Sequence, residues 1–286
     1  MSHPAVYFCS MILAVFGDVH GALDAVYESV HRFEKKYQVK VVGVLQVGDM
    51  GVFPDIARLD RATYERAKED PTELGLADYV SGKKRPSHPT WFVRGNHEDF
   101  DFLMRKRNAC IDPYNMIHHI FVGPLTVSSE GERCVVAGLG GVEDEDRWKS
   151  GEKGGRKDGR IGEPHRHSPY RWKYITQKEL DMLSAVREGG VDVLLTHEGP
   201  SGYFQGMKNR GSKIVQRVVE RLQPRYHFFG HYGGRFGPDY DFRIGRTRSI
   251  LLNEWGVHRL PRRDGGMGIL DTRDWNFRYV LSGELD

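Results

Sequence analysis

Five short apolar runs in the chain each stop at residues able to bind a metal ion. Val15-Phe16 leads into Gly17-Asp18-Val19-His20, and Leu45-Gln46-Val47 into Gly48-Asp49. Trp91-Phe92-Val93 leads into Arg94-Gly95-Asn96-His97, Val193-Leu194-Leu195 into Thr196-His197, and His227-Phe228-Phe229 into Gly230-His231. Apolar runs of this length, bounded by glycine and polar residues, read as buried strands. Between them the spacing turns helical. Leu23, Val26, Tyr27, Val30 and Phe33 follow the first run; Ile214, Val215, Val218, Val219 and Leu222 precede the last and stop before Pro224. Thr176-Gln177-Lys178-Glu179 has the form of a capping box, with Leu180, Leu183 and Val186 behind it at helical spacing. Strands alternating with helices predict an α/β fold with a mostly parallel sheet. The strand ends then converge on one crevice, where open α/β sheets bind ligands. Here two Asp, one Asn and four His line it.

Other segments read as hairpins. Residues 117–121, 125–129 and 133–137 have strand character, the last two joined by the tight Glu130-Gly131-Glu132 turn. Residues 242–244, 249–253, 267–271 and 277–281 close the chain as further hairpins. These imply an antiparallel second sheet or mixed edges. Residues 1–10 read as an N-terminal tail and 11–286 as one domain of two packed sheets flanked by helices. Within it, 54–80 is polar and helical, broken at Pro71, and is expected outside the core as an insertion; 143–170 is a basic loop.

Composition changes this picture little. With 286 residues, 39% hydrophobic and 28% charged, the chain is an ordinary globular protein. Cys9, Cys110 and Cys134 are widely spaced with no CxxC, which suits reduced thiols and a cytoplasmic location. The apolar stretch 5–16 lacks a positive n-region and runs into Gly-Asp-Val-His, so it reads as a strand and not a signal peptide. No membrane span is legible. A net charge of +3 does not by itself imply nucleic-acid binding. The surplus is local: residues 146–168 carry seven Lys/Arg against four Asp/Glu. Such a loop is a solvated connection or a clamp for phosphates beside the crevice. Trp148, Trp172 and Tyr174 are placed to stack on bases or to pack, and so are Tyr203 and Phe204 as a pocket wall. His165 and His167 are spaced like ligands or form a surface pair.

Asp18 and His20 lie two residues apart, so in extended chain both face one ion. Asp49 offers a carboxylate able to bridge two cations, Asn96 a neutral oxygen, His197 and His231 imidazole nitrogens. Mixed oxygen and nitrogen donors suit two divalent transition-metal ions such as Mn, Fe or Zn; without cysteine among them a structural zinc site is disfavoured. His97 directly follows Asn96 and faces the other way, which suits a general acid. Arg94 is a candidate phosphate-binding residue, or a salt-bridge partner.

Taken in order, Gly17-Asp18-x-His20-Gly21, Gly48-Asp49, Gly95-Asn96-His97-Glu98, Thr196-His197 and Gly230-His231 resemble the calcineurin-like metallophosphoesterases. The resemblance implies a four-layer αββα sandwich and hydrolysis of phosphate esters. It implies that Asp18, His20 and Asp49 hold the first metal, that Asp49, Asn96, His197 and His231 hold the second, and that His97 is the acid. One position departs from the pattern. The family closes with Gly-His-x-His, and its last histidine completes the first metal site; here Gly230-His231-Tyr232 is followed by Gly233. The first site is therefore expected to be weak, or filled by water or by His258, Asp239 or Asp241.

Two subfamilies compete. Gly17-Asp18-Val19-His20-Gly21 and Arg94-Gly95-Asn96-His97-Glu98 look like Ser/Thr protein phosphatases, but those follow the bridging Asp with an Asp and an Arg, and Asp49 is followed by Met50-Gly51-Val52-Phe53. The layout from Val135 to Pro200 looks more like the lariat-debranching enzymes, with Gly138-Leu139-Gly140-Gly141, the basic loop, Ser168-Pro169-Tyr170 and Thr196-His197-Glu198-Gly199-Pro200. The expected function is a phosphodiesterase acting on a nucleotide or nucleic acid such as RNA. The alternatives are a phosphomonoesterase, or a weakly active nucleotide-binding protein with an impaired first site.

Overall fold

The computed structural model describes residues 11–107, 109–144, 172–204, 210–233, 236, 240–255 and 264–285. Strand β1 (Ile12–Phe16) is apolar on both faces because both are covered. Leu13 and Val15 point into one apolar cluster, Ala14 and Phe16 into another. Helix α1 (Leu23–Tyr37) lays Leu23, Val26, Tyr27, Val30 and Phe33 onto the second of these. Strand β2 (Val41–Gln46) pairs with β1 in parallel.

The segment after β2 carries helices α2 (Arg61–Ala67) and α3 (Leu76–Val80). It differs from the expectation of an insertion outside the core. Leu76 and Tyr79 are buried in the same cluster as α1, and the Tyr79 hydroxyl donates to Asp24 at 2.6 Å. The few apolar anchors here are scattered through polar sequence, so no amphipathic period revealed them. Strands β3 (Thr90–Phe92) and β4 (Ile117–His119), separated by helix α4 (Phe100–Arg105), extend the parallel array.

The second sheet opens with the expected hairpin of β5 (Leu125–Ser129) and β6 (Glu132–Leu139). Helix α5 (Gln177–Ser184) starts at the predicted capping box: the Thr176 hydroxyl accepts from Glu179 N–H, and Glu179 accepts from Thr176 N–H. Strand β7 (Val193–Thr196), helix α6 (Lys213–Leu222) and strand β8 (Tyr226–Phe229) follow. Strands β9 (Asp241–Ile244) and β10 (Thr247–Leu251) form the expected hairpin, but β10 also pairs in parallel with β8. Finally β11 (Met267–Asp271) and β12 (Asn276–Val280) return to the first sheet, with β11 antiparallel to β1.

Two mixed six-stranded sheets result, ordered β12-β11-β1-β2-β3-β4 and β5-β6-β7-β8-β10-β9. Leu13, Val15, Leu45 and Val93 of the first meet Val136, Val193, Leu195, Phe228 and Ile250 of the second in a shared apolar layer. On the outer face of the second sheet, Leu183 of α5 and Val215, Val219 and Leu222 of α6 cluster with Ala137 and Leu194. The predicted α/β architecture of two sheets flanked by helices is thus the observed one. Among the described residues no helix is long and apolar enough to cross a membrane.

Candidate metal centre

Each parallel core strand sends its carboxyl end to the same crevice. The turns there are tight. His20 (φ 43°), Asp49 (φ 51°) and His231 (φ 78°) all adopt left-handed backbone, which non-glycine residues avoid and which accumulates at functional sites. Two glycines make room. A Cβ on Gly95 would stand 2.0 Å from Asp49 Oδ1, and one on Gly230 would stand 2.2 Å from Asp18 Oδ1.

Asp49 lies at the centre. Its Oδ1 accepts from the backbone N–H of Asn96 at 2.6 Å and of His97 at 2.8 Å, and lies 3.6 Å from His197 Nε2. Its Oδ2 is 4.0 Å from His20 Nε2. Both oxygens of Asp18 accept from His231 N–H at 3.1 Å. His197 Nε2 faces Asn96 Oδ1 at 2.9 Å and His231 Nδ1 at 3.2 Å. Asp18, His20 and Asp49 offer donor atoms that all lie within 4.8 Å of one another. All six residues named from the sequence as metal ligands therefore come together, four from the first sheet and His197 and His231 from the second.

The electrostatics suit cations. Burial pushes the Asp18 carboxyl well up, and Asp49 beside it adds to that. Burial also opposes ionisation of Asp49, but His197, His97, His20 and His231 around it outweigh this and hold it well below the usual carboxylate range. Burial depresses His20; Glu254 and Asp49 outweigh it and lift the imidazole to about 9. Burial and the neighbouring His197 push His231 down to about 3. Two crowded carboxylates with imidazoles around them are costly without a compensating positive charge. Carboxylate, amide oxygen and imidazole, with no thiolate, fit divalent transition metals. Glu98 steadies the frame: it accepts N–H bonds from Met50 (2.9 Å), Val52 (2.6 Å) and Gly95 (3.4 Å), and burial with Asp49 nearby raises its carboxyl to about 8.

His97 stands apart from the ligand cluster. Its Nδ1 is 3.0 Å from Asp60 Oδ2, and its ring centroid is 6.1 Å from that of His20. Asp60 is also the N-cap of α2, accepting from Thr63 N–H at 2.9 Å. No carboxylate directly follows Asp49, and the cap pattern Asp60-Arg61-Ala62-Thr63 is the local signal for this one. Arg66 of the same helix places Nη2 3.3 Å from His20 Nδ1.

Arg94 requires a correction. Its side chain is fully buried, and its two terminal nitrogens donate to the carboxylate of Glu179. Nε donates to Trp172 O at 2.5 Å and Nη2 also to Tyr174 O at 3.1 Å. With all three nitrogens committed inside the protein, Arg94 ties β3 to α5 and has no nitrogen to spare for phosphate. Of the substitutes considered for the missing histidine, Asp241 is paired with Arg248, while Asp239 and His258 lie outside the described residues. The carboxylate that does reach the site is Glu254, with Oε1 3.4 Å from His20 Nε2. It follows β10, read from the sequence as an isolated hairpin strand. Trp172 packs edge-on against Phe121, Tyr203 stacks on Phe242, and Phe204 joins an aromatic cluster with Phe229 and Tyr232, so all three pack. Tyr174 lends its carbonyl to Arg94. Trp148, His165, His167 and nearly all of the basic loop lie outside the described residues.

Two mixed sheets, outer helices and a carboxylate–imidazole cluster at the parallel strand ends define a metallophosphoesterase-type domain. The family profile described as calcineurin-like phosphoesterase matches residues 11–233, and the chain belongs to that family of phosphate-ester hydrolases. It is similar to the lariat debranching enzyme of Arabidopsis thaliana, 25% identical over 79% of this chain and 55% of that one. It is similar also to the lariat debranching enzyme of Entamoeba histolytica, 24% identical over 82% of this chain and 68% of that one. The chain thus spans about half to two thirds of the length of these relatives. Protein T07D4.2 of Caenorhabditis elegans is 33% identical, over 27% of this chain and 20% of its own. Among solved structures, TT1561 of Thermus thermophilus shares the fold, with a TM-score of 0.54, 15% identity, and coverage of 96% of this chain and 99% of that one.

Proposed function

We propose that the chain is a metal-dependent phosphodiesterase acting on a nucleotide or RNA. The observation that carries it is the meeting of both sheets' strand ends at Asp49: Asn96 and His97 on its Oδ1 from one side, His197 at 3.6 Å from the other. In this assignment Asp18, His20 and Asp49 hold one divalent ion, and Asp49, Asn96, His197 and His231 hold a second. Bound there, the ions would supply an activated water and neutralise charge on the phosphoryl group. His97, its Nδ1 fixed on Asp60, keeps Nε2 to donate a proton to the leaving oxygen. Similarity to lariat debranching enzymes over most of the chain supports a diester in RNA. The free thiols Cys110 and Cys134 suit a cytoplasmic location.

A phosphomonoesterase is the second reading. Asp60 restores to His97 the partner carboxylate that a protein-phosphatase-like site requires. Hydrolysis of bis-p-nitrophenyl phosphate and p-nitrophenyl phosphate with Mn²⁺, using Asp49→Asn as control, separates the two. Diester turnover that disappears in the control supports the phosphodiesterase; turnover of the monoester alone transfers the assignment to the phosphomonoesterase. Binding of Mn²⁺ with no turnover of either ester overturns both and leaves a nucleotide-binding protein.

A further inference from the structure

Gly233 occupies the position where the family has the histidine that completes the first metal site, and its backbone is left-handed at φ 56°. A Cβ built on Gly233 would find as its three nearest heavy atoms the carboxylate of Glu254: Oε1 at 3.8 Å, Cδ at 3.9 Å and Oε2 at 4.0 Å. A longer side chain grown from position 233 would enter the space that this carboxylate holds. We propose that Glu254 is the ligand that closes the first metal site in place of that histidine.

Several independent features converge on Glu254. Its Oε1 is 3.4 Å from Nε2 of His20. Two atoms bound to one ion with bonds of about 2.0–2.2 Å lie about 3.0–3.5 Å apart, so this is the spacing of ligands that share a cation. Its backbone is anchored to the site: the next residue, Trp255, donates its N–H to Asp18 O at 2.8 Å, and Trp255 is itself fully buried. Its side chain keeps about a quarter of its exposure, so it borders the cluster without being sealed in the core. Topology supplies the reason. Strand β10 runs parallel to β8, so the residues after it emerge at the same end as His231. Glu254 thus stands at a sixth strand end, equivalent in origin to the other five. The exchange is chemically sensible, because a carboxylate is a harder, charged donor than imidazole and favours Mn-like ions.

The inference rests on the proposed dinuclear centre, and binding stoichiometry tests the two separately. Calorimetric titration of the whole metal-stripped chain with Mn²⁺, with electron paramagnetic resonance reporting coupling between two ions, is applied to four proteins. These are the wild type, Glu254→Gln, Gly233→His, and Gly233→His combined with Glu254→Ala. The expected result is two coupled ions in the wild type. Glu254→Gln should weaken the second ion more than 10-fold and remove the coupling. The double variant should recover it, and Gly233→His alone should bring no gain. Recovery in the double variant distinguishes a lost ligand from a disturbed fold, which circular dichroism of each variant also checks. Two ions bound with unchanged affinity and coupling in Glu254→Gln would overturn the role of Glu254 and leave the centre standing. Fewer than two ions in the wild type would overturn the dinuclear centre itself, and Glu254 as its ligand with it.

Discussion

Asp60 Oδ2 sits 3.0 Å from Nδ1 of His97, although the two residues are 37 positions apart and belong to different segments. Burial pushes the Asp60 carboxyl up, but the facing imidazole outweighs this and holds it at about 2. The pair fixes which ring nitrogen of His97 is free. Removing His97 as a proton donor, in His97→Ala, should lower kcat by about 10²–10⁴-fold. Asp60→Asn should give a smaller loss, about 10–100-fold, as outer partners of functional histidines do. Metal content by mass spectrometry should stay unchanged in both. Loss of metal in His97→Ala would place the ring in the ligand set instead.

Asp49 places one carboxylate oxygen toward each sheet's contribution, Oδ2 4.0 Å from His20 Nε2 and Oδ1 3.6 Å from His197 Nε2. Asp49→Asn keeps the shape but removes the charge and with it the shared donor. The expected outcome is a chain that retains less than one ion after gel filtration, measured by inductively coupled plasma emission. Retention of one ion at full affinity would show that Asp49 serves a single site.

Arg94 and Glu179 form a fully buried pair. Removing one member leaves the other charge uncompensated, which costs about 3–5 kcal/mol. Arg94→Met should therefore lower the urea midpoint sharply, while KM of the remaining folded protein stays near the wild-type value. A raised KM with normal stability would return Arg94 to phosphate binding.

His227 is buried between Thr196 Oγ1 at 2.8 Å and Ser249 Oγ at 3.2 Å, and burial pushes its imidazole down to about 3. Its unfolded value is about 6.5, so the unfolded chain binds a proton that the folded chain refuses between those limits. Stability attributable to His227 is complete above about pH 6.5 and is lost as pH falls from there toward 3. Urea titrations at pH 7.5 and 5 should show wild type losing more stability on acidification than His227→Gln. Equal losses would mean that other groups set the acid limit.

Much of the fold and of the candidate site was legible because both are written locally. A buried parallel strand is a short apolar run, and the residue it delivers to the crevice follows within four positions, so five strand ends could be read without knowing how the strands pair. What was not legible depended on pairing. Residues 249–253 look the same whether they form a free hairpin or a parallel neighbour of β8, and only the second places Glu254 at the crevice. Asp60 reads as an ordinary helix cap, because its contact with His97 spans two loops. Arg94 was misread for a related reason: a cation beside a ligand motif looks functional until the distant Glu179 of α5 is seen to claim it.

The cluster draws Asp18, His20, Asp49 and Asn96 from the first sheet and His197 and His231 from the second, so neither sheet alone carries a complete set. A folding intermediate with only one sheet formed would hold at most a partial, weak site. In the proposed centre, metal capture would act as an inspection of assembly: a cation held by both groups at once would bind tightly only after the two halves have docked in the correct register, and by mass action it would then discourage them from parting.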